Sequence, residues 1–108
     1  MSIQVLIIGL GQFGMSLART LSEKGTEVIA VDQDKELVDE AAGFLDDALC
    51  LDATDETALG KLCPKERDVV ICAIGAREPS ILTTAILRQM GCDNVLSLIH
   101  ISEPTRPI

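Results

Sequence analysis

The sequence predicts an α/β fold, in which a parallel β-sheet is covered by α-helices. Short runs of branched apolar residues alternate with amphipathic stretches along the 108 residues, and this alternation is typical of β-α-β units. Hydrophobic residues make up 47% of the chain and aromatic residues only 2%, so the core must be aliphatic, as it is around parallel sheets. The length allows one domain at most.

Five apolar runs predict five strands. They comprise residues 3–8, 27–32, 47–51, 68–74 and 95–101. The fourth run is apolar throughout, which indicates a strand in the interior of the sheet, because such a strand is buried on both faces.

The first two predicted helices follow the first two strands. The first begins after a glycine-rich turn and carries Phe13, Leu17 and Leu21 at four-residue spacing, which predicts one apolar face. Asp34 can cap the second helix, because its carboxylate accepts from free backbone amides, and Gly43 ends that helix. The second helix is expected to bury Leu37, Val38 and Ala41.

The third and fourth predicted helices follow the third and fourth strands. Thr54 or Asp55 caps the third helix, and Pro64 stops it. Pro79 occupies the first position of the fourth helix, where its missing N–H costs nothing. The residues expected to face the core are Leu59 and Leu62 in the third helix and Leu82, Ala85, Ile86 and Met90 in the fourth.

Charge and cysteine usage exclude several classes of function. The net charge of −8 comes without a basic stripe, so we expect no nucleic-acid partner. No apolar run approaches the roughly 20 residues that span a bilayer, and the first residues lack the features of a signal peptide, so we expect no membrane insertion. The four cysteines show no C-x-x-C spacing, and we expect buried, reduced thiols in a cytosolic chain. They are Cys50, Cys63, Cys72 and Cys92.

The stretch VLIIGLGQFGMS contains the G-x-G-x-x-G spacing of a nucleotide-binding turn. Gly9 permits the tight turn, Gly11 lets the backbone approach a pyrophosphate, and Gly14 lets helix and strand pack closely. The helix that starts near Gln12 then directs free N–H groups at the phosphates. A strand before the motif, a helix after it and Asp32 at the end of the second strand complete the pattern of a Rossmann-like, doubly wound sheet.

Two carboxylates extend this candidate site. Asp32 lies 18 residues after Gly14, where it can accept from both hydroxyls of an adenosine ribose and would repel a 2′-phosphate. Asp52 follows the third strand, either as a solvated carboxylate or near an adenine edge. Gly75 would lie at the crevice of the sheet, and Arg77 is either a surface charge or a phosphate contact.

Together these residues resemble the N-terminal domain of the RCK family, also called KTN or TrkA-N. The similarity covers roughly residues 3–94 and is carried by VLIIGLGQFGMSLARTLSEKGTEVIAVDQD, LCLDATDETALGKL and DVVICAIGAREPSILTTAILRQMG. The D-A-T after the third strand and the A-I-G…S-I-L-T-T passage are more discriminating than the glycines, because dehydrogenases in general seldom contain them.

The resemblance implies a site and a ligand. The implied site consists of Gly9, Gly11, Gln12, Phe13 and Gly14 around the phosphates, Asp32 at the ribose, Asp52, Ala53 and Thr54 near adenine, and Ala73, Ile74 and Gly75 along the crevice. Many members that prefer adenine triphosphate have arginine where this chain has Gln12. The resemblance therefore slightly favours NAD(H) over ATP or ADP as the ligand. The loop from Gly75 to Ser80 is about one residue shorter than in many relatives.

The resemblance also implies a function. RCK domains belong to cytosolic regulatory subunits that assemble as dimers or rings and control a membrane potassium transporter of the Trk/Ktr type, at the inner face of the cell membrane. The alternative is the N-terminal NAD-binding domain of an oxidoreductase, but residues 1–96 contain no histidine, and Thr83 and Thr84 are poor acid/base groups. A redox switch through Cys72 or Cys92 is a third reading.

The end of the chain differs from the rest. Residues 97–108 resemble a peptide that arises when sequencing-adapter DNA is translated, and we expect the native sequence to stop near Leu96. Residues 1–96 would then form an incomplete RCK domain that lacks its last strand and crossover helix. His100, in the non-native segment, is not expected to be a ligand.

Overall fold

The computed structural model describes residues 3–97, in which five strands alternate with helices. The elements are β1 (Gln4–Ile8), α1 (Gln12–Glu23), β2 (Glu27–Asp32), α2 (Lys35–Ala41), β3 (Asp47–Cys50), α3 (Glu56–Gly60), a 3₁₀ turn (Pro64–Glu66), β4 (Val69–Cys72), α4 (Arg77–Gln89) and β5 (Val95–Ser97). The part of the fifth predicted strand beyond Ser97, residues 98–108 of the predicted non-native segment and His100 lie outside the described residues.

The five strands form one parallel sheet in the order β3-β2-β1-β4-β5. β1 lies in the middle, where Ile7 is paired with Ala30 of β2 and with Ile71 of β4. The order reverses between β1 and β4, so the chain winds outward from the centre in both directions. This arrangement confirms the predicted doubly wound, Rossmann-like sheet.

Each face of the sheet has its own aliphatic core. One cluster joins β1 and β2 to α1 and α2, with Ile7, Ala18 and Ala41 fully buried. The other joins β1, β2 and β4 to α3 and α4, with Leu6, Leu59 and Leu87 fully buried. Burial on both faces explains why the central strands are continuous runs of Val, Ile and Leu.

The apolar face predicted for α1 is partly wrong. Phe13 is 55% exposed, and Leu17 and Leu21 are only partly buried. The buried residues of this helix are Gly14, Met15 and Ala18. Because Gly14 must face the turn, the residue before it is rotated about 100° around the helix axis, and this rotation directs Phe13 away from the core.

The boundaries of α3 and α4 also differ from the prediction. Asp55 caps α3 by accepting from Thr57 N–H and Ala58 N–H, but the helix ends at Gly60, before Pro64. α4 begins at Arg77, two residues before Pro79.

The buried side of α4 is shifted as well. Ser80 is buried with its Oγ 3.7 Å from Cys72 Sγ on β4, and this contact sets which side of the helix meets the sheet. Thr83 and Leu87, three and seven positions later, share that side. The buried residues of the helix are Ser80, Thr83, Ile86 and Leu87. Leu82 and Ala85, which were predicted to face the core, are exposed.

The cysteines divide into two kinds. Cys72 and Cys92 are buried as expected, but Cys50 and Cys63 are exposed, so the prediction of buried thiols is wrong for this pair. All four are free. Cys50 is exposed because β3 lies at the edge of the sheet that residues 3–97 form, paired with β2. Within residues 3–97, no helix is long and apolar enough to cross a membrane, and no group of His, Cys, Asp and Glu could hold a metal ion.

The packing of Gly14 generates a stability prediction. A Cβ at Gly14 would lie 2.0 Å from the carbonyl oxygen of Gly9, whereas a Cβ at Gly11 would meet nothing within 4 Å. Gly14→Ala should therefore lower the free energy of unfolding by about 3 kcal/mol or more, measured by urea denaturation. Gly11→Ala is the matched control; because alanine is a weaker N-cap than glycine, it should lower the free energy of unfolding by no more than about 1 kcal/mol. Equal stability of the two variants would contradict the packing described for α1.

Candidate functional site

A crevice of about 340 Å³ opens at the carboxyl ends of the parallel strands. Its walls come from the segments that follow β1, β2, β3 and β4. The sheet order reverses between β1 and β4, and doubly wound sheets bind ligands at such a switch point, outside the carboxyl ends of the strands. The crevice is therefore where the topology places a ligand.

A larger cavity, of about 450 Å³, lies at the opposite end of the sheet. Gln4, Thr26 and Asp46 are among the residues that line it. These residues lie at or before the amino ends of strands, which is not the end at which doubly wound sheets hold their ligands. The smaller crevice is therefore the candidate functional site.

The glycine turn after β1 forms one wall of the crevice. Gly9 has a φ of +107°, and a Cβ there would lie 2.8 Å from the carbonyl carbon and oxygen of Ala73. Glycine alone meets both constraints. Gly11 faces open space and is the N-cap of α1, which has no side-chain cap and no acidic residue in its first turn. This positive helix end is therefore suited to an anion.

Asp32 links the glycine turn to the end of β2. Its Oδ2 accepts from Leu10 N–H at 2.7 Å, and its Oδ1 accepts from Asp34 N–H at 2.8 Å. The carboxylate is only half-buried, and an ionised carboxylate has about four acceptor positions. It can therefore accept from further donors, such as ribose hydroxyls, while it holds both backbone segments in place.

Asp52 and Thr54 form a compact turn after β3. Asp52 Oδ1 accepts from Thr54 N–H at 2.9 Å and from Thr54 Oγ1–H at 2.6 Å. Hydrogen bonds from the Thr54 hydroxyl and then from its amide lower the pKa of the Asp52 carboxyl below its ordinary value. The turn buries Ala53 beneath it, so it closes the end of the crevice with a fixed, ionised carboxylate.

The structure brings most of the predicted site residues together. The predicted residues that line the crevice are Gly9, Gly11, Asp32, Asp52, Ala53, Thr54, Ala73, Ile74 and Gly75. Three lie elsewhere: Gln12 lines a shallower neighbouring cleft between α1 and α2, Phe13 is 55% exposed, and Gly14 packs beneath Gly9. Gln12 and Phe13 therefore do not line the candidate crevice, although they belong to the same turn of the helix.

Other lining residues were missed by the sequence analysis. They include Gln33, Leu37, Leu51, Ala76 and Pro79. Gln33 and Leu51 directly adjoin Asp32 and Asp52 in the sequence, and this adjacency could have identified them. Leu37 was assigned to the core. Ala76 and Pro79 reach the crevice because α4 begins earlier than predicted.

The sheet order, the glycine turn and the carboxylate at the end of β2 define this chain as a nucleotide-binding domain of the Rossmann class. The comparisons with known proteins are more specific. The family model of the TrkA-N domain matches residues 5–104, and the chain belongs to this family.

Two relatives illustrate the similarity. The chain is 44% identical over 90 residues to the Ktr system potassium uptake protein C of Bacillus subtilis, covering 82% of this chain and 41% of that protein. It is 39% identical over 93 residues to the Ktr system potassium uptake protein A of Vibrio alginolyticus, covering 85% and 42%. The chain thus spans less than half the length of these relatives.

Solved structures support the fold. The NAD(P)-binding domain of an exopolyphosphatase-related protein from Archaeoglobus fulgidus superposes with a TM-score of 0.71 at 29% identity, covering 86% of this chain and 68% of that one. A protein from Bacillus halodurans that is assigned to the NAD-dependent epimerases/dehydratases without proof of that activity has a TM-score of 0.67 at 18% identity, covering 89% of this chain and 50% of that one. The second similarity concerns the fold alone.

The Asp52 turn generates a pH prediction. Thr54→Val removes the hydroxyl that contributes most to the lowered pKa of Asp52, so the pKa should rise toward its ordinary value in an NMR titration of the carboxyl carbon. A carboxyl with a depressed pKa contributes stability above its unfolded-state pKa and loses it as the pH falls through the folded-state pKa. The variant should therefore lose less stability on acidification.

The control for this titration is Thr57→Val, because Thr57 is an exposed residue of α3 whose backbone amide, not its hydroxyl, bonds to Asp55. It should leave the titration of Asp52 unchanged. An unaltered Asp52 titration in Thr54→Val would contradict the assigned hydrogen bond.

Proposed function

We propose that this chain is the nucleotide-sensing domain of a regulatory subunit of a Trk/Ktr-type potassium uptake system. The observation that carries the proposal is the joint position of the glycine turn, Asp32 and the Asp52 turn in one crevice of a TrkA-N domain. The names of the relatives supply the physiological context. In this proposal the subunit is cytoplasmic and lies at the inner face of the membrane through its contact with the transporter.

The proposed ligand is NAD(H), with ATP or ADP as the alternative. Gly9, Gly11 and Gly14 would shape the phosphate end, Asp32 would accept from the ribose, and Ala53 with its neighbours would face adenine. A carboxylate at the ribose position favours an unphosphorylated ribose. Gln12 follows Gly11 at the start of α1 and is uncharged where a cation would favour a triphosphate, and this supports NAD(H), which carries the smaller phosphate charge.

A sensor fits the chemistry of the crevice better than a hydride-transfer enzyme does. The carboxylates that line it are Asp32 and Asp52, and each accepts hydrogen bonds from backbone amides. Groups held in this way recognise and orient a ligand, whereas hydride transfer to a carbonyl carbon needs an acid or base positioned at the carbonyl oxygen. The residues are therefore assigned to recognition.

A nucleotide bound in the crevice would change the shape of the assembled subunits. A ligand shifts a conformational equilibrium only by its difference in affinity for the two states. In the proposed mechanism, full-length subunits assemble as a homodimer or ring, and the nucleotide binds one shape of that assembly more tightly. The transporter that contacts the assembly then responds to that shape.

Isothermal titration with NADH, NAD, ATP and ADP tests the proposal. Asp32→Ala should weaken binding of the preferred nucleotide by about tenfold to a hundredfold, because it removes hydrogen bonds to a charged acceptor. Asp47→Ala is the matched control, because this exposed carboxylate lies at the amino end of β3, and it should leave the affinity unchanged.

Two results would contradict the proposal. One is the absence of binding of any of the four nucleotides to the unsubstituted chain. The other is steady oxidation of NADH with a simple carbonyl substrate by a full-length parent protein, which would favour the N-terminal domain of an oxidoreductase.

A further inference from the structure

The segment that joins β4 to the buried part of α4, residues 73–79, forms one wall of the crevice. We call it the β4–α4 segment. The sheet order places β2 and β3 on one side of β1 and β4 on the other. In the proposed site the adenosine therefore lies over β2 and β3, and the part of a dinucleotide beyond its phosphates lies against the β4–α4 segment. The residues of this segment that line the crevice are Ala73, Ile74, Gly75, Ala76 and Pro79.

The two ends of the β4–α4 segment are held in different ways. Ala73 N–H donates to the carbonyl oxygen of Ile8 at 2.7 Å, and Gly9 packs against Ala73, so the first end is fixed to β1. In the middle, Gly75 is exposed, and a Cβ there would meet nothing within 4 Å. The second end reaches the core at Ser80, the first buried residue of α4. The position of this end therefore depends on how Ser80 packs.

Ser80 packs against Cys72, the last residue of β4. Ser80 Oγ lies 3.7 Å from Cys72 Sγ, and the carbonyl oxygen of Ser80 lies 4.0 Å from the same sulfur. Both residues are 0% exposed, so water does not compete for these polar atoms. Because Cys72 directly precedes the β4–α4 segment and Ser80 directly follows it, their contact joins the two ends of the segment.

We propose that Ser80 is a positioning residue of the nucleotide site, which holds the β4–α4 segment against the far half of a dinucleotide through its contact with Cys72. The inference rests on the proposed function, because it concerns the same crevice. Without the contact, the second end of the segment is free to move, and ordering it on binding costs free energy. This cost falls on a ligand that extends beyond the phosphates, such as NADH, and not on one that ends there, such as ADP.

Isothermal titration of the full chain with NADH and with ADP tests the inference, because the two ligands share the adenosine and two phosphates. Ser80→Ala removes only the hydroxyl and suits a helix, and Cys72→Ala removes the sulfur on the other side of the contact. At least one of them should retain the fold, which circular dichroism checks. Thr83→Val is the matched control, because Thr83 is equally buried on the same helix and its hydroxyl has no hydrogen-bond partner within residues 3–97.

Each alanine variant should lower the ratio of the NADH to the ADP affinity by about threefold to tenfold, which is the loss expected for one buried polar contact. A general loss of stability would weaken the binding of both ligands alike and would not change this ratio. Because both substitutions break the same contact, the double variant should show the ratio of the single variants rather than the product of their effects. Thr83→Val should leave the ratio unchanged.

Several outcomes overturn the inference and leave the proposed function intact. One is an unaltered ratio in a folded alanine variant, and another is independent, additive effects of the two substitutions. An equal fall in Thr83→Val also overturns it, because any change on the buried side of α4 would then have the same effect.

The unsubstituted chain supplies the remaining outcomes. Binding of ADP at least as tightly as NADH overturns the inference together with the assignment of NAD(H), because the β4–α4 segment would then add nothing to affinity. Failure to bind NADH, NAD, ATP or ADP overturns the proposed function as well.

Discussion

The contact between the glycine turn and the end of β4 is the constraint on which the rest of the structure depends. Gly9 lies so close to Ala73 that a side chain would overlap its carbonyl group, and Gly14 lies beneath the carbonyl oxygen of Gly9. This approach lets α1 begin directly at the switch point of the sheet. The crevice exists because β1 and β4 are neighbours whose chains leave toward opposite faces after this contact.

Asp32 connects the glycine turn to the rest of the candidate site through hydrogen bonds. By accepting from Leu10 N–H and Asp34 N–H, it joins the turn after β1 to the turn after β2. One side chain therefore holds the geometry of the glycine turn and supplies the negative charge at the proposed ribose end of the crevice. Any ligand that bonds to Asp32 also contacts the group that positions the glycine turn, which gives the crevice a physical route by which occupancy could change the shape of the domain.

Sequence rules predicted correctly those features in which a local conformational preference agrees with the overall fold. The glycine spacing, the cap at Asp34 and the aliphatic strands each have one physical solution, and the structure contains it. The predicted buried side was wrong for the two helices whose orientation depends on a tertiary contact. The contact of Ser80 with Cys72 sets the buried side of α4, and Gly14 sets that of α1. Neither is visible in hydrophobic periodicity, which is why Phe13 and Leu82 were placed in the core but are exposed.

The central claim is that a nucleotide binds in the crevice at the carboxyl ends of the strands. A titration of the ¹⁵N-labelled chain with NADH, followed by two-dimensional NMR, tests it most directly. The account predicts saturable shifts of the amide signals of Leu10, Gly11 and Thr54, with little change at Gln4 and Thr26 beside the larger cavity at the other end of the sheet. Shifts confined to Gln4 and Thr26, or no saturable shifts, would contradict it.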